Sequence, residues 1–235
     1  YKYHPATHMQ VADGCWHGKC SFCVERGRPY AVRPMASVVD EIVGCMRMGF
    51  KEIFDDSGTF PDGEWLDKFC RVFHGNKETK FGCNLRIGSY VNFDDMYDAG
   101  FRMLLYGIES ANQVTLDRIN KGVNANEVIP TLKRASQAGL EPHIAVMFGL
   151  PGEGEKEELE TIRLVHYLLR KGYAKTAQAS VYTFNGVRGR DRGTKNKIYE
   201  VAWFPDFWLT KLRDIHNWQD VKYLFKSIRK GIIRD

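Results

Sequence analysis

The sequence predicts an α/β fold built on a parallel sheet. Short apolar segments with strand character alternate with segments whose apolar residues recur at helical spacing. The 235 residues are enough for one large domain and contain no apolar run long enough to span a bilayer. Such alternation indicates right-handed βαβ units in a sheet that is either open or closed into a barrel.

Six strands are expected, each separated from the next by a helical or turn-forming stretch. The expected strands are residues 8–12, 51–54, 80–85, 101–106, 141–148 and 176–184. The expected helices between them are residues 34–48, 61–73, 93–99, 113–120 and 125–138, with a further helix through residues 159–171. Two more helices are expected near the end of the chain, at residues 209–217 and 220–228.

Helix boundaries follow from capping residues. Pro61 suits the first turn of the second helix, because its missing N–H would be unpaired there in any case. Asn124 is the expected N-cap of the helix over residues 125–138, and Gly139 ends it. Pro130 lies past the first residues of that helix, which predicts either a mild kink or a later start.

Composition narrows the class of protein and its compartment. Most of the formal net charge of +5 lies in residues 186–197, so the charge gives no argument for nucleic-acid binding. Three of the six cysteines are single residues in apolar surroundings, which favours a reducing cytoplasm over a disulfide framework: Cys45, Cys70 and Cys83. The first residue is Tyr rather than Met, from which we expect a segment of a longer chain with a further N-terminal domain.

Residues 14–23 form a glycine-bearing loop with three thiols, Cys15, Cys20 and Cys23. Thiolates this close converge only around a metal or a metal–sulfur centre, because they otherwise repel one another. Two interpretations remain open on spacing alone. A structural or nucleic-acid-binding zinc module would add His8 or His17 as the fourth ligand, whereas an iron–sulfur cluster with three ligands would leave one iron open for chemistry.

Unusual residues recur at the ends of the expected strands. They are the cysteine loop, residues 55–58, Arg86, Glu109 with Ser110, and residues 149–151. Ligands of parallel α/β folds gather at the carboxyl ends of the strands, so these residues are expected to meet in one site.

The order of these motifs resembles the radical SAM superfamily. The cysteine loop reads C-x4-C-x2-C with Phe22 before the last cysteine, residues 107–110 read GIES, and residues 148–153 read FGLPGE. The resemblance covers most of the chain, from about residue 9 to residue 184. It implies a partial (βα)6 barrel over residues 1–185, with residues 186–235 as a mostly helical extension. It also implies an enzyme with a [4Fe–4S] cluster on Cys15, Cys20 and Cys23, and S-adenosylmethionine (SAM) on the fourth iron.

The resemblance assigns further site residues. It implies that Glu109, with Ser110, accepts hydrogen bonds from the ribose or the methionine ammonium, and that Arg86 pairs with the methionine carboxylate or with Glu109. The remaining cofactor-binding positions that it implies are Phe22, Asp56, Ser57, Gly58, Gly149, Leu150 and Pro151. A structural role in packing, turns or salt bridges explains each of these residues almost as well.

The activity implied is reductive cleavage of SAM to methionine and a 5′-deoxyadenosyl radical, which abstracts hydrogen from a substrate. The implied partners are a small-molecule or peptide substrate and a one-electron donor such as flavodoxin or ferredoxin. Trp16 and the extra residue in the cysteine loop resemble radical SAM proteins with a cobalamin-binding domain. Cobalamin is therefore expected through a domain outside this chain, and a stand-alone radical SAM enzyme is the alternative.

Overall fold

The computed structural model describes residues 1–184 and 187–188. In chain order the strands are β1 (Ala6–Met9), β2 (Ala12–Asp13), β3 (Ala31–Val32), β4 (Glu52–Asp55), β5 (Lys80–Leu85), β6 (Phe101–Glu109), β7 (Glu141–Phe148), β8 (Thr176–Val181), β9 (Thr183–Phe184) and β10 (Val187–Arg188). The helices are α1 (Met35–Arg47), α2 (Glu64–Val72), α3 (Phe93–Asp98), α4 (Gln113–Arg118), α5 (Val128–Gln137) and α6 (Glu155–Arg170), with a 3-10 turn at Ala125–Glu127.

The main sheet has the strand order β1-β4-β5-β6-β7-β8, and every neighbouring pair is parallel. It curls into a half-barrel with helices between successive strands, so the predicted partial barrel of six parallel strands is confirmed. Two short antiparallel pairs, β2 with β3 and β9 with β10, lie outside this sheet.

The two faces of the sheet differ in character because side chains alternate along each strand. On β7, Ile144, Val146 and Phe148 are buried in the hydrophobic core. The alternate residues of the same strand, such as His143 and Met147, face the inner side of the half-barrel and are less buried. Burial of each large apolar side chain on the outer face contributes about 1.5–3 kcal/mol.

The turn after β4 is anchored in the core. Phe60 packs edge-on against Phe69 of α2 and Phe101 of β6, with ring centroids 5.8 and 5.6 Å apart. The Phe60 N–H also donates to the Asn84 carbonyl over 2.8 Å. This anchoring fixes residues 56–59, which lie against the cysteine loop.

Four strands differ from their expected bounds: β4 lies one residue later, β6 runs to Glu109 instead of residue 106, and the first and last strands differ more. The first was expected at residues 8–12 but is β1, Ala6–Met9, because the Val11 and Ala12 N–H groups donate to the Asp55 and Ser57 side chains instead of a neighbouring strand. The last was expected to run to residue 184, but β8 ends at Val181 and residues 183–184 pair with residues 187–188 in a hairpin.

Two helices start later than expected. α2 begins at Glu64 rather than Pro61, after Gly63 with a left-handed φ of 59°. α5 begins at Val128, which confirms the later start that Pro130 allowed, and Asn124 caps the preceding 3-10 turn by accepting from the Asn126 N–H.

Within the described residues, no helix is long and apolar enough to cross a membrane. The helices expected at residues 209–217 and 220–228, and most of the expected extension over residues 186–235, lie outside the described residues.

Candidate functional site

The cysteine loop connects β2 to β3 and is held by its own backbone. The Gly27 N–H donates to the Gly18 carbonyl over 3.0 Å, which closes the loop, and the Ser21 N–H donates to the Ile119 carbonyl over 2.9 Å, which ties it to the end of α4. Cys20 is only 7% exposed, whereas Cys15 and Cys23 are partly exposed. The loop therefore places three thiols beside the carboxyl ends of the strands.

Gly58 allows the turn after β4 to approach this loop closely. A Cβ atom at position 58 would lie 2.7 Å from the Gly14 carbonyl oxygen, which is closer than real Cβ contacts. Gly14 itself has φ of 75°, a conformation that glycine adopts without strain. The two glycines explain why the loop and the turn pack backbone to backbone.

Each cysteine sulfur has a different electrostatic environment. Burial alone would raise the pKa of Cys15, but hydrogen bonds from the Gly18 N–H and the Thr59 hydroxyl, with the Arg86 charge, lower it on balance. Burial, reinforced by the neighbouring thiols, raises the pKa of Cys23. Cys20 accepts a hydrogen bond from Arg86 Nη1 over 3.9 Å.

The arrangement gives the zinc alternative no support. No group of three or more His, Cys, Asp or Glu side chains in the described part of the chain is arranged around a single ion. Both candidate histidine ligands are engaged elsewhere: His8 with Asp56 and Tyr1, and His17 with the Asn120 carbonyl. In a [4Fe–4S] cluster each cysteine binds a different iron, so its three sulfurs lie farther apart than the ligands of one ion.

Glu109, at the carboxyl end of β6, pairs with Lys121. Its carboxylate lies 2.7 Å from Lys121 Nζ, and both side chains are almost fully buried. Glu109 has φ of 63°, and the register of β6 against β7 shifts at this point. Such backbone strain in a residue with a side chain costs about 1–3 kcal/mol and concentrates at functional sites.

Gly107 makes room for this ion pair on the inner face of the sheet. A Cβ atom at position 107 would come within 2.8 Å of Lys121 Nζ. Lys121 also lies 5.8 Å from the centre of the Phe22 ring, so the pair borders the cysteine loop. Lys121 is a site residue that the sequence alone did not identify.

Arg86 follows β5 directly and reaches the cysteine loop. Besides Cys20, it donates through Nη2 to the Lys121 carbonyl, and its guanidinium lies 5.2 Å from the centre of the Trp16 ring. Of the two partners expected for Arg86, Glu109 is paired with Lys121 instead. Lys121 reaches Glu109 because the loop after α4 brings both onto the inner face, which sequence spacing does not reveal.

The polar groups of residues 55–58 form most of their hydrogen bonds with other groups of the chain. Asp55 accepts from the Val11 N–H over 2.7 Å and from the Ser57 hydroxyl over 2.8 Å. Burial raises the pKa of Asp55 to about 6 in spite of these hydrogen bonds. Ser57 in turn accepts from the Ala12 N–H over 2.8 Å. The structural interpretation therefore accounts for Asp55 and the Ser57 hydroxyl.

Ser110 and residues 149–151 are also held by contacts within the chain. The Ser110 hydroxyl donates to Glu153 over 2.7 Å, and the Gly149 N–H donates to Glu158 over 3.2 Å. Ser110 is fully buried, so it positions the turn rather than lining an open surface. Leu150 packs in a small apolar cluster with Phe22, Leu116 and Ile119. The Pro151 carbonyl accepts from Arg118 over 2.8 Å.

The inner face of the half-barrel carries a pair that sequence reasoning missed. His8 on β1 lies 2.6 Å from Asp56 through Nδ1, and both side chains are about half exposed. Its neighbour Met9 belongs to the core, so His8 points to the inner face by strand alternation. Across the sheet, His143 Nδ1 lies 2.6 Å from Thr176 Oγ1. The alternation of His8 with Met9 was the signal available in the sequence.

Comparison with known proteins identifies the family. The family model described as the radical SAM superfamily matches residues 9–165. An uncharacterized protein of Methanocaldococcus jannaschii is 26% identical over 225 residues, covering 85% of this chain and 65% of that protein. The ribosomal protein uS12 methylthiotransferase RimO of Endomicrobium trichonymphae is 25% identical over 196 residues, covering 76% of this chain and 43% of that protein.

Solved structures agree on the fold. The radical SAM methyltransferase TsrM from Kitasatospora setae matches with a TM-score of 0.62 at 20% identity, covering 77% of this chain and 38% of that one. The chain thus spans less than two thirds of the length of these relatives. Since the family model covers more than half of the chain and includes the cysteine loop, the chain belongs to the radical SAM superfamily.

Proposed function

We propose that this chain is the catalytic core of an enzyme that cleaves SAM reductively and uses the resulting radical on a substrate held inside the half-barrel. One observation carries the proposal. The cysteine loop meets, at the carboxyl ends of the strands, the buried guanidinium of Arg86 and the buried ion pair of Lys121 with Glu109. Three thiolates beside a guanidinium that pairs with no carboxylate among the described residues fit an anionic cluster.

Cys15, Cys20 and Cys23 would each hold one iron of a [4Fe–4S] cluster and leave the fourth iron to SAM. When bound, this group supplies the electron that splits SAM into methionine and a 5′-deoxyadenosyl radical, which takes a hydrogen atom from the substrate. The electron itself comes from a one-electron donor such as flavodoxin or ferredoxin. The protein positions these groups and shields them from water.

The methionine end of SAM carries an ammonium and a carboxylate, and the site offers a partner for each. Glu109 has lone pairs beyond its bond to Lys121 and accepts from the ammonium or the ribose hydroxyls. Lys121 and Arg86 are the cations for the carboxylate. Because both ends of the pair are buried, each hydrogen bond here is stronger than its counterpart in water.

The adenine would lie against the apolar cluster near Phe22 and residues 149–151. Gly149 has φ of 73° and no side chain, so a flat ring could approach its backbone closely, and Glu158 holds its N–H. Gly58, packed on Gly14, keeps the opposite wall close to the cysteine loop. Ser57 and Ser110 act in this proposal by fixing these turns.

The substrate, a small molecule or a peptide, would bind to the inner face of the half-barrel. The pair of His8 and Asp56 is the polar group best placed to contact it, since it lies at the carboxyl ends of β1 and β4 and is half exposed. Asp56 is thereby assigned to the substrate side through His8, and not to the cofactor site where the resemblance placed it.

We further propose that the full-length protein carries out a methyl or methylthio transfer, or a ring-forming reaction, with cobalamin bound by another domain. The extra residue in the cysteine loop and Trp16 support this, as does the likeness to TsrM, which has been solved with cobalamin and a [4Fe–4S] cluster bound. Sequencing the gene upstream of Tyr1 tests whether such a domain is encoded there. Titration with hydroxocobalamin tests binding, and we expect none to residues 1–235 by themselves.

Anaerobic reconstitution tests the proposed core function. The protein is loaded with iron and sulfide, reduced with dithionite and incubated with SAM, and 5′-deoxyadenosine is quantified. We expect a brown protein that releases 5′-deoxyadenosine slowly without substrate. Stoichiometric zinc in the native protein, with no uptake of iron, would contradict the proposal.

A further inference from the structure

Arg86 lies between one cysteine and one aromatic ring. Its guanidinium is 3.9 Å from Cys20 Sγ through Nη1 and 5.2 Å from the centre of the Trp16 ring. The residue is only 6% exposed, so its charge acts in an environment of low effective dielectric. Binding of the SAM carboxylate by Arg86 does not explain this contact with the sulfur.

Among the described residues, the charge of Arg86 has no carboxylate counterpart. Among residues 1–184, no carboxylate lies within ion-pair distance of its guanidinium, Nη2 donates to the neutral Lys121 carbonyl, and Nε has no hydrogen-bond acceptor. A buried cation without an anion is costly, because it loses its hydration without compensation. The anion next to Arg86 in the assembled protein would be the Cys20 thiolate.

We propose that Arg86, held by Trp16, is a positioning residue that donates a hydrogen bond to the Cys20 thiolate and raises the reduction potential of the cluster. The inference rests on the proposed function, since it requires a cluster on these cysteines. One-electron reduction adds a negative charge to the cluster, and a nearby cation stabilises the reduced state more than the oxidised state. Hydrogen bonds to cluster sulfurs and solvent exposure act on the potential in the same way.

Trp16 shields the Arg86 guanidinium from solvent. It is the residue directly after Cys15, within the longer spacing of the cysteine loop. Its ring is 42% exposed, and the other part covers the guanidinium. A cation–π contact with a partly desolvated Arg contributes about 0.5–2 kcal/mol and keeps water from screening the charge. The extended loop thus brings a shield for Arg86 as well as the ligand Cys15.

The experiment is a redox titration of the anaerobically reconstituted protein without SAM, monitored by the electron paramagnetic resonance signal of the reduced cluster. The variants are Arg86→Gln, Arg86→Lys and Trp16→Ala. Lys19→Gln is the matched control, because Lys19 carries the same charge next to Cys20 in sequence but is exposed and screened by solvent. SAM is left out so that an effect on SAM binding cannot change the potential.

We expect the midpoint potential of Arg86→Gln to be the most negative of the series. Trp16→Ala and Arg86→Lys should lie between Arg86→Gln and the wild type, and Lys19→Gln should match the wild type. Equal potentials for Arg86→Gln and Lys19→Gln would overturn the proposal, as would a loss of SAM affinity in Arg86→Gln with no change in potential. If Arg86→Gln does not retain the cluster, Trp16→Ala decides: a potential below that of Lys19→Gln supports the proposal, and an equal one overturns it. A wild-type protein that binds no cluster refutes the proposed function itself.

Discussion

The two ends of the half-barrel differ in how their buried charges are balanced. At the amino ends of the strands, Arg102 lies between Glu52 and Glu141, and Lys2 also contacts Glu141. Burial alone would raise the pKa of Glu52, but hydrogen bonds from Arg102 and from the Tyr3 N–H lower it. Cations and carboxylates are therefore matched at this end.

At the carboxyl ends, Arg86 and Lys121 stand against Glu109, the one carboxylate that pairs with either of them in the described part of the chain. The cysteine loop lies at this end, and thiolates would supply the missing negative charge. A closed ion network thus lies at the amino ends, whereas at the carboxyl ends the Arg86 guanidinium pairs with no carboxylate of the described residues and contacts a cysteine sulfur instead. We expect substitutions at the amino ends to change stability and those at the carboxyl ends to change cluster and SAM binding.

The largest effect is expected for Cys20→Ala. Removing one of three thiolates at the carboxyl end should abolish the cluster, because a [4Fe–4S] cluster depends on its thiolate ligands. Iron and sulfide analysis after anaerobic reconstitution measures the loss. Cys45→Ala is the control, since Cys45 is equally buried but lies in α1, and it should retain full iron content. Equal iron in both variants would show that Cys20 is not a ligand.

Arg102→Met should destabilise the fold without changing the chemistry. It removes the cation that is paired with the fully buried carboxylate of Glu52, which costs about 3–5 kcal/mol. Urea unfolding measures the change, and the same substitution at the exposed Arg163 of α6 should stay within about 0.5 kcal/mol of wild type. Under folding conditions, SAM cleavage per cluster should be unchanged; a parallel loss of cleavage would place Arg102 in the functional end.

Glu109→Gln should weaken SAM binding at the functional end. A hydrogen bond to a charged group contributes about 1.5–3 kcal/mol, which corresponds to a loss of about 10- to 100-fold in affinity. Equilibrium dialysis with SAM on the reconstituted protein measures it. Glu155→Gln, at an exposed position on α6, is the control and should bind SAM as the wild type does. If both variants bind SAM equally, Glu109 has no part in the SAM site.

The smallest effect concerns Asp55, the last residue of β4, whose carboxylate accepts from the Val11 N–H just before β2. Burial raises its pKa from the ordinary value of 3.8 to about 6. The folded state then binds the proton more tightly than the unfolded chain, so stability from this group is present at low pH and is lost as pH rises through 6. Between pH 5 and pH 7 the free energy of unfolding should fall by roughly 1 kcal/mol on this account. Asp55→Asn should flatten that part of the profile, as urea unfolding at several pH values can show; an unaltered slope would assign the dependence to another group.

Local sequence signals identified most of the architecture. Each of the six strands was placed, because runs such as residues 80–85 and 141–148 combine apolar content with glycine or proline punctuation. The misplaced end of the first strand was set by tertiary hydrogen bonds. β1 ends early because Asp55 and Ser57, distant in sequence, take the next N–H groups.

The sequence singles out Cys15, Cys20 and Cys23 by their spacing and Glu109 by its place after an expected strand, and their roles as ligands stay predictions. Contacts between residues that are distant in sequence could not be predicted in the same way. The partner of Glu109 did not follow, because Lys121 reaches it through the loop after α4. Ser110 was expected to face a ligand, but a carboxylate 43 residues later in the chain, Glu153, holds its hydroxyl.

The central claim is that the carboxyl end of this half-barrel holds a [4Fe–4S] cluster with one iron open to SAM. Electron paramagnetic resonance of the dithionite-reduced, reconstituted protein, recorded with and without SAM, tests it most directly. The account predicts a [4Fe–4S]¹⁺ signal whose g-values change when SAM is added. A cluster signal that SAM leaves unchanged, or a protein that yields no cluster signal at all, would contradict it.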